Sequence, residues 1–110
     1  MGVIATATEK DWFELSHINI KNGSKYLIKL SFTEVNNFGD IYFQYRDYNS
    51  KRLGDSQIYM IFEGDSTRKI KLNLECKEML PYIINLKYIT VIELKNQDLS
   101  EEEIEQLPFI

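Results

Sequence analysis

Apolar residues recur at every second position through much of this chain. From Ile18 the order is Ile-Asn-Ile-Lys-Asn-Gly-Ser-Lys-Tyr-Leu-Ile-Lys-Leu-Ser-Phe, ending at Phe32. Ile18 and Ile20 lead into Asn22-Gly23, and Tyr26, Ile28, Leu30 and Phe32 then share one parity. Lys25, Lys29 and Ser31 take the other parity, with Leu27 the apolar exception. Alternate side chains of a strand point to opposite faces, so a period of two predicts strands. Asn-Gly between two such runs predicts a hairpin leading into a half-buried antiparallel strand.

The same pattern continues. Strands are expected over Phe13–Ile20, with Trp12 at its start, over Tyr26–Thr33 and over Ile41–Arg46. In the last of these, Ile41, Phe43 and Tyr45 face one way and Tyr42, Gln44 and Arg46 the other. Ile58, Met60 and Phe62 form another inward set, as do Ile70, Leu72 and Leu74 on Thr67–Leu74. Turn residues separate them at Asn36–Asp40, in a polar loop from Asp47 to Asp55, and at Gly64-Asp65. Cys76–Leu80, stopped by Pro81, reads as a short helical turn or a loop. Tyr82 to Leu94 is long for one strand, and a bulge or break is expected near Asn85-Leu86. The period changes at the end. Ser100-Glu101-Glu102-Glu103 fits a capping box, Ile104 and Leu107 are spaced to dock on the sheet, and Pro108 stops the helix. The fold class is an all-β antiparallel sandwich, jelly-roll-like, with a short C-terminal helix. It divides into a sandwich over residues 1–97 and an acidic helix or linker over 98–110, expected to be separable from the core.

Composition narrows the function. With 110 residues, 44% of them hydrophobic, there is room for one core. Residues 1–97 carry thirteen bases and twelve acids, whereas 98–110 carry five acids and no base. The body is thus electrically balanced, which argues against a nucleic-acid partner needing a basic surface. No apolar run approaches the ~20 residues of a membrane helix, and residues 1–8 lack the pattern of a signal peptide. Cys76 is the only cysteine, so no internal disulfide forms, and a cytoplasmic location is slightly favoured.

Candidate chemistry lies in outward aromatics. Tyr42 shares its parity with Gln44 and Arg46, and Tyr59 is opposite in parity to Ile58, Met60 and Phe62. If the two strands are neighbours, two flat rings flank an amide and a guanidinium, a combination that suits a sugar. The competing reading is that these tyrosines reflect β propensity or partial burial. Trp12 is either a second platform or a plug at the end of the sandwich. His17 has no Cys or His at ligand spacing, and Cys76 has no motif around it for nucleophilic chemistry. Asp47, Asn49 and Asp55 share a loop without the spacing of a calcium motif, so no metal is assigned. Arg68, Lys69 and Lys71 read as an outward strand face or a guarded edge. No phosphate loop, nucleophile elbow or His-Glu-x-x-His occurs, and neither catalysis nor a cofactor is expected.

Ile18, Ile20, Gly23, Tyr26, Ile28, Leu30, Ser31 and Phe32, followed by Ile41, Phe43, Tyr45, Asp47 and Asn49, then Thr67 and the closing run through Asn85, Ile92 and Leu94, give a characteristic order. That order resembles the jelly-roll, galactose-binding-like carbohydrate-binding modules of bacteria over residues 12 to 95. The resemblance implies a non-catalytic module that binds saccharide weakly, as an accessory domain of a larger glycan-active protein. The alternatives are a protein-interaction or oligomerisation domain and a small stand-alone protein inhibitor. Neither nucleic acid nor membrane is expected as a partner.

Overall fold

The computed structural model describes residues 3–7, 12–78 and 82–107, with side chains from residue 14 onward. The strands are β1 (Val3–Ala7), β2 (Trp12–Ile20), β3 (Lys25–Val35), β4 (Ile41–Tyr42), β5 (Gln44–Tyr45), β6 (Tyr48–Asn49), β7 (Lys51–Leu53), β8 (Gln57–Glu63), β9 (Arg68–Cys76) and β10 (Tyr82–Leu94). One helix, α1, covers Glu101–Gln106, and a 3-10 turn covers Phe38–Asp40. A first sheet has the order β1-β10-β3-β8-β7, a second has β2-β9-β4, and β5-β6 is a separate ribbon. All pairs are antiparallel. The protein is therefore an all-β sandwich with a short C-terminal helix.

The expected inward sets meet in one core. Ile18 and Ile20 of β2, Tyr26, Ile28, Leu30 and Phe32 of β3, Ile58, Met60 and Phe62 of β8, and Ile70, Leu72 and Leu74 of β9 belong to a single buried cluster with Ile41 and Phe43. Period-two apolar faces on both sheets can hide only against each other, and that sets the two-layer arrangement.

The Asn22-Gly23 turn is not a hairpin. β2 pairs with β9 in the second sheet, and β3 pairs with β8 and β10 in the first. The turn therefore carries the chain from one layer to the other. Gly23 still supplies the left-handed backbone the turn needs (φ 82°). A second crossing, at Gly64 between β8 and β9, is tied to it. The Gly23 N–H donates to the Gly64 carbonyl at 2.9 Å, the Gly64 N–H to the Ser24 carbonyl at 2.8 Å, and the Asn22 N–H to Thr67 Oγ1 at 3.1 Å. A Cβ on Gly64 would lie 2.3 Å from the Lys21 carbonyl oxygen, so only glycine fits this approach. Hairpin chemistry in the sequence was overruled by long-range pairing within each sheet.

β3 is buried on both faces, not half-buried. Its inward residues fill the main core. Leu27 on the outer face joins a second cluster with Tyr59, Leu94, Ile104 and Leu107. The cover is α1, which begins with the expected capping box: the Glu103 N–H donates to Ser100 Oγ at 3.2 Å, and the Ser100 N–H to Glu103 Oε1 at 3.1 Å. Ile104 and Leu107 are buried against the sheet. Under the helix end, Lys29 is wholly buried and its Nζ donates to the carbonyls of Ile104, Glu105 and Leu107 at 2.8, 2.9 and 2.5 Å. The last carbonyls of a helix lack the regular internal partner four residues on, and that of Ile104 also accepts the Leu107 N–H at 3.2 Å. Burial pushes the Lys29 ammonium pKa down, and the Glu105 carboxylate opposes that shift. Far from hanging off the core, residues 99–107 roof the first sheet, and this packing argues against a separable tail.

Elsewhere the structure adds detail. β10 runs as one strand with register shifts between Asn85 and Leu86 and between Leu86 and Tyr88, where irregularity was expected. The polar loop from Asp47 to Asp55 contains β6 and β7, and Val3–Ala7, given no element by the sequence pattern, is β1 on the edge of β10. Ile41–Arg46 divides at Phe43 into β4 and β5. Cys76 ends β9 in the core, while the rest of the proposed Cys76–Leu80 turn falls partly outside the described residues. The Trp12 side chain is likewise outside them. Among the described residues no helix is long and apolar enough to cross a membrane.

Candidate functional site

The second sheet turns a polar outer face to solvent, and the most varied chemistry of the molecule collects there. β4 lies beside β9, with Tyr42 opposite Glu75. The chain then leaves the sheet at Phe43, and the β5–β6 ribbon holds Gln44 and Arg46 beside β9. Gln44, Tyr45 and Arg46 on one side, and Arg68, Lys69, Lys71, Asn73 and Glu75 on the other, enclose a groove of about 410 Å³. A second depression of about 350 Å³ is lined by Tyr42, Gln44, Asn49, Ser50 and Lys77, so Gln44 belongs to both.

A charged network braces the ribbon. The Tyr45 hydroxyl donates to Asp65 Oδ1, and Arg68 Nη2 donates to the Tyr45 hydroxyl at 3.1 Å and to Asp65 Oδ1 at 3.4 Å. Arg46 Nη2 lies 2.9 Å from Asp65 Oδ2. The Tyr45 ring packs on Phe62 of the core, with centroids 4.8 Å apart. Arg46 stands at the ribbon's turn with φ 56°, a left-handed conformation that costs a non-glycine residue on the order of 1 kcal/mol. Asn73 also lines the groove, and its buried Oδ1 has no hydrogen-bond partner among the described residues.

The Tyr45 hydroxyl, with Arg46 and Arg68 beside it, holds the Asp65 carboxyl at about 2, against an ordinary value of 3.8. Because the folded value lies below the unfolded one, the stability from ionised Asp65 is complete above about pH 4. It is lost as pH falls through about 2. Asp65→Asn should therefore flatten the fall in melting temperature between pH 4 and 2. Melting curves at several pH values check this, and an unchanged acid limb would mean the network adds nothing to stability.

Three of the four sequence-predicted ligand residues, Tyr42, Gln44 and Arg46, lie along this face. Tyr59 does not. It sits on the outer face of the first sheet, 7% exposed, and its hydroxyl donates to Glu101 Oε2 at 3.0 Å beneath α1. Burial first, and then the Glu101 carboxylate, pushes its pKa up. The outward parity was right, but the helix covers that outward face. Asn73 and Glu75 were not foreseen. Their parity with Lys69 and Lys71 was visible, but not that β9 lies beside β4.

The remaining candidates are scattered. His17 is exposed on β2, its Nε2 3.6 Å from Glu14 Oε1. Asp47, Asn49 and Asp55 are exposed, and among the described residues no group of three or more His, Cys, Asp or Glu could hold a metal ion. A larger cleft of about 720 Å³ opens at one end of the first sheet among residues that include Lys25, Glu63, Glu93, Lys95 and Asp98. It carries two bases and three acids, and no aromatic ring among the described residues lines it, so it lacks the stacking platform of the first face. No family model, curated protein or solved structure matches this chain.

Proposed function

We propose that this protein is a non-catalytic binding module whose outer face on the second sheet takes a saccharide, as an accessory domain of a larger glycan-active protein. The observation that carries the reading is the placing of Tyr42 and Gln44 on one depression that adjoins a groove lined by Gln44, Asn73 and Glu75. Rings stack on the C–H faces of a pyranose while amides and carboxylates meet its hydroxyls. Gln44, Asn73 and Glu75 supply such groups, and the braced Arg46 and Arg68 fix the groove's wall. Its floor is strand and its wall a tied ribbon, which keeps ordering costs low.

The affinity expected of an open groove with few hydroxyl contacts is on the order of micromolar to millimolar. The test is an NMR titration with a panel of neutral and uronic-acid oligosaccharides. Shifts at residues 42–46 and 69–75, abolished by Tyr42→Ala in a protein that melts like wild type, support the reading. Binding that moves only other residues, or no binding to any glycan class, removes it.

A further inference from the structure

We propose that the open edge of β10 pairs with the same edge of a second copy of this chain, antiparallel and centred on Thr90. β1 covers β10 only from Tyr82 to Leu86. Among the described residues, no strand lies on that side of Ile89–Leu94. Strand edges of this kind expose a row of backbone donors and acceptors and pair readily unless guarded. The usual guards are absent in the middle of this one. Ile89 and Val91 are 37% and 42% exposed, yet they pair with Leu30 and Ile28, which are wholly buried in the main core. They are core-facing residues left at an uncovered rim.

The occupant follows from the order of side chains along the edge. Ile89, Val91 and Glu93 lie on one side of the strand, paired with Leu30, Ile28 and Tyr26, and the base Lys87 stands at the register shift that precedes them, opposite in charge to the acid at the far end. In an antiparallel self-pair with Thr90 on the two-fold axis, each Ile89 meets a Val91 and each Lys87 meets a Glu93. Both rims are then buried and two opposite-charge pairs close the ends, contacts that stabilise cross-strand pairs. A parallel pair would set Lys87 against Lys87. Lys87 is the extra residue at the β10 register shift, and its long side chain, now over the Tyr88 ring at 5.2 Å, spans the twist there. Glu93 already lies 3.8 Å from Lys21 Nζ, an exposed contact that a second cation can share. This edge is on the first sheet, away from the groove, so the inference stands apart from the saccharide reading.

Sedimentation velocity from about 10 μM to 1 mM is the test. The edge is short, so a monomer–dimer equilibrium is expected between 13.0 kDa and about twice that, with Kd on the order of 10–1000 μM. Lys87→Glu and Glu93→Lys each place like charges opposite one another twice and should weaken the dimer about tenfold. The double variant, Lys87→Glu with Glu93→Lys, exchanges the ends and should restore it. Val3, opposite Leu86, is the first residue of β1, so a variant lacking residues 1 and 2 is measured alongside. Monomer throughout in both lengths overturns the proposal. So does a dimer indifferent to the single substitutions, or one the double variant fails to restore.

Discussion

Lys29→Met should destabilise the protein by about 2–4 kcal/mol, read from urea denaturation. Methionine keeps most of the buried apolar stem but removes the ammonium that binds three carbonyls at the end of α1. A buried acceptor left without a donor costs about 1–3 kcal/mol, and relaxation of the short helix recovers part of that loss. α1 has no base in its own last turn, so Lys29, reaching up from β3, is the cation at the negative end of its dipole. The same substitution in a chain ending at Gln97 should cost little, because the carbonyls it orphans are gone. That shorter chain should itself be weakened, since Leu27, Tyr59 and Leu94 lose the cover of Ile104 and Leu107. Equal cost in both lengths would show that Lys29 acts through something other than the helix end.

Phe43→Ala should cost about 3–5 kcal/mol, the range for emptying a buried phenylalanine site. Phe43 is wholly buried where the chain leaves β4 for β5. Its backbone cannot easily follow the lost ring, because its N–H donates to Ser50 Oγ and its carbonyl accepts the Ser50 N–H, both at 3.0 Å. A cavity therefore remains. Tyr42 and Gln44 flank this residue, so the groove should loosen with it, and thermal melts with saccharide titration read both effects. A variant that unfolds at the wild-type midpoint would disprove the placing of Phe43 in the core.

The features legible from the residues alone were local and periodic. Alternation assigned the inward sets of β2, β3, β8 and β9 because side-chain direction in a strand is set by backbone geometry alone. The box at Ser100 and Glu103 was legible for the same reason, since its partners are three residues apart. Which strands pair was settled by long-range packing. It turned Asn22-Gly23 from a hairpin into a crossing between layers, and it set β9 beside β4 so that Asn73 and Glu75 joined Gln44 and Arg46. It also laid α1 over β3 and β8, which took Tyr59 out of the proposed site and made Lys29, by pattern a solvent-facing lysine, the buried cap of a helix. Parity says which side of a strand a residue occupies. Whether that side meets water depends on what distant chain comes to cover it, and that is settled by the apolar area and hydrogen bonds gained when the whole chain packs.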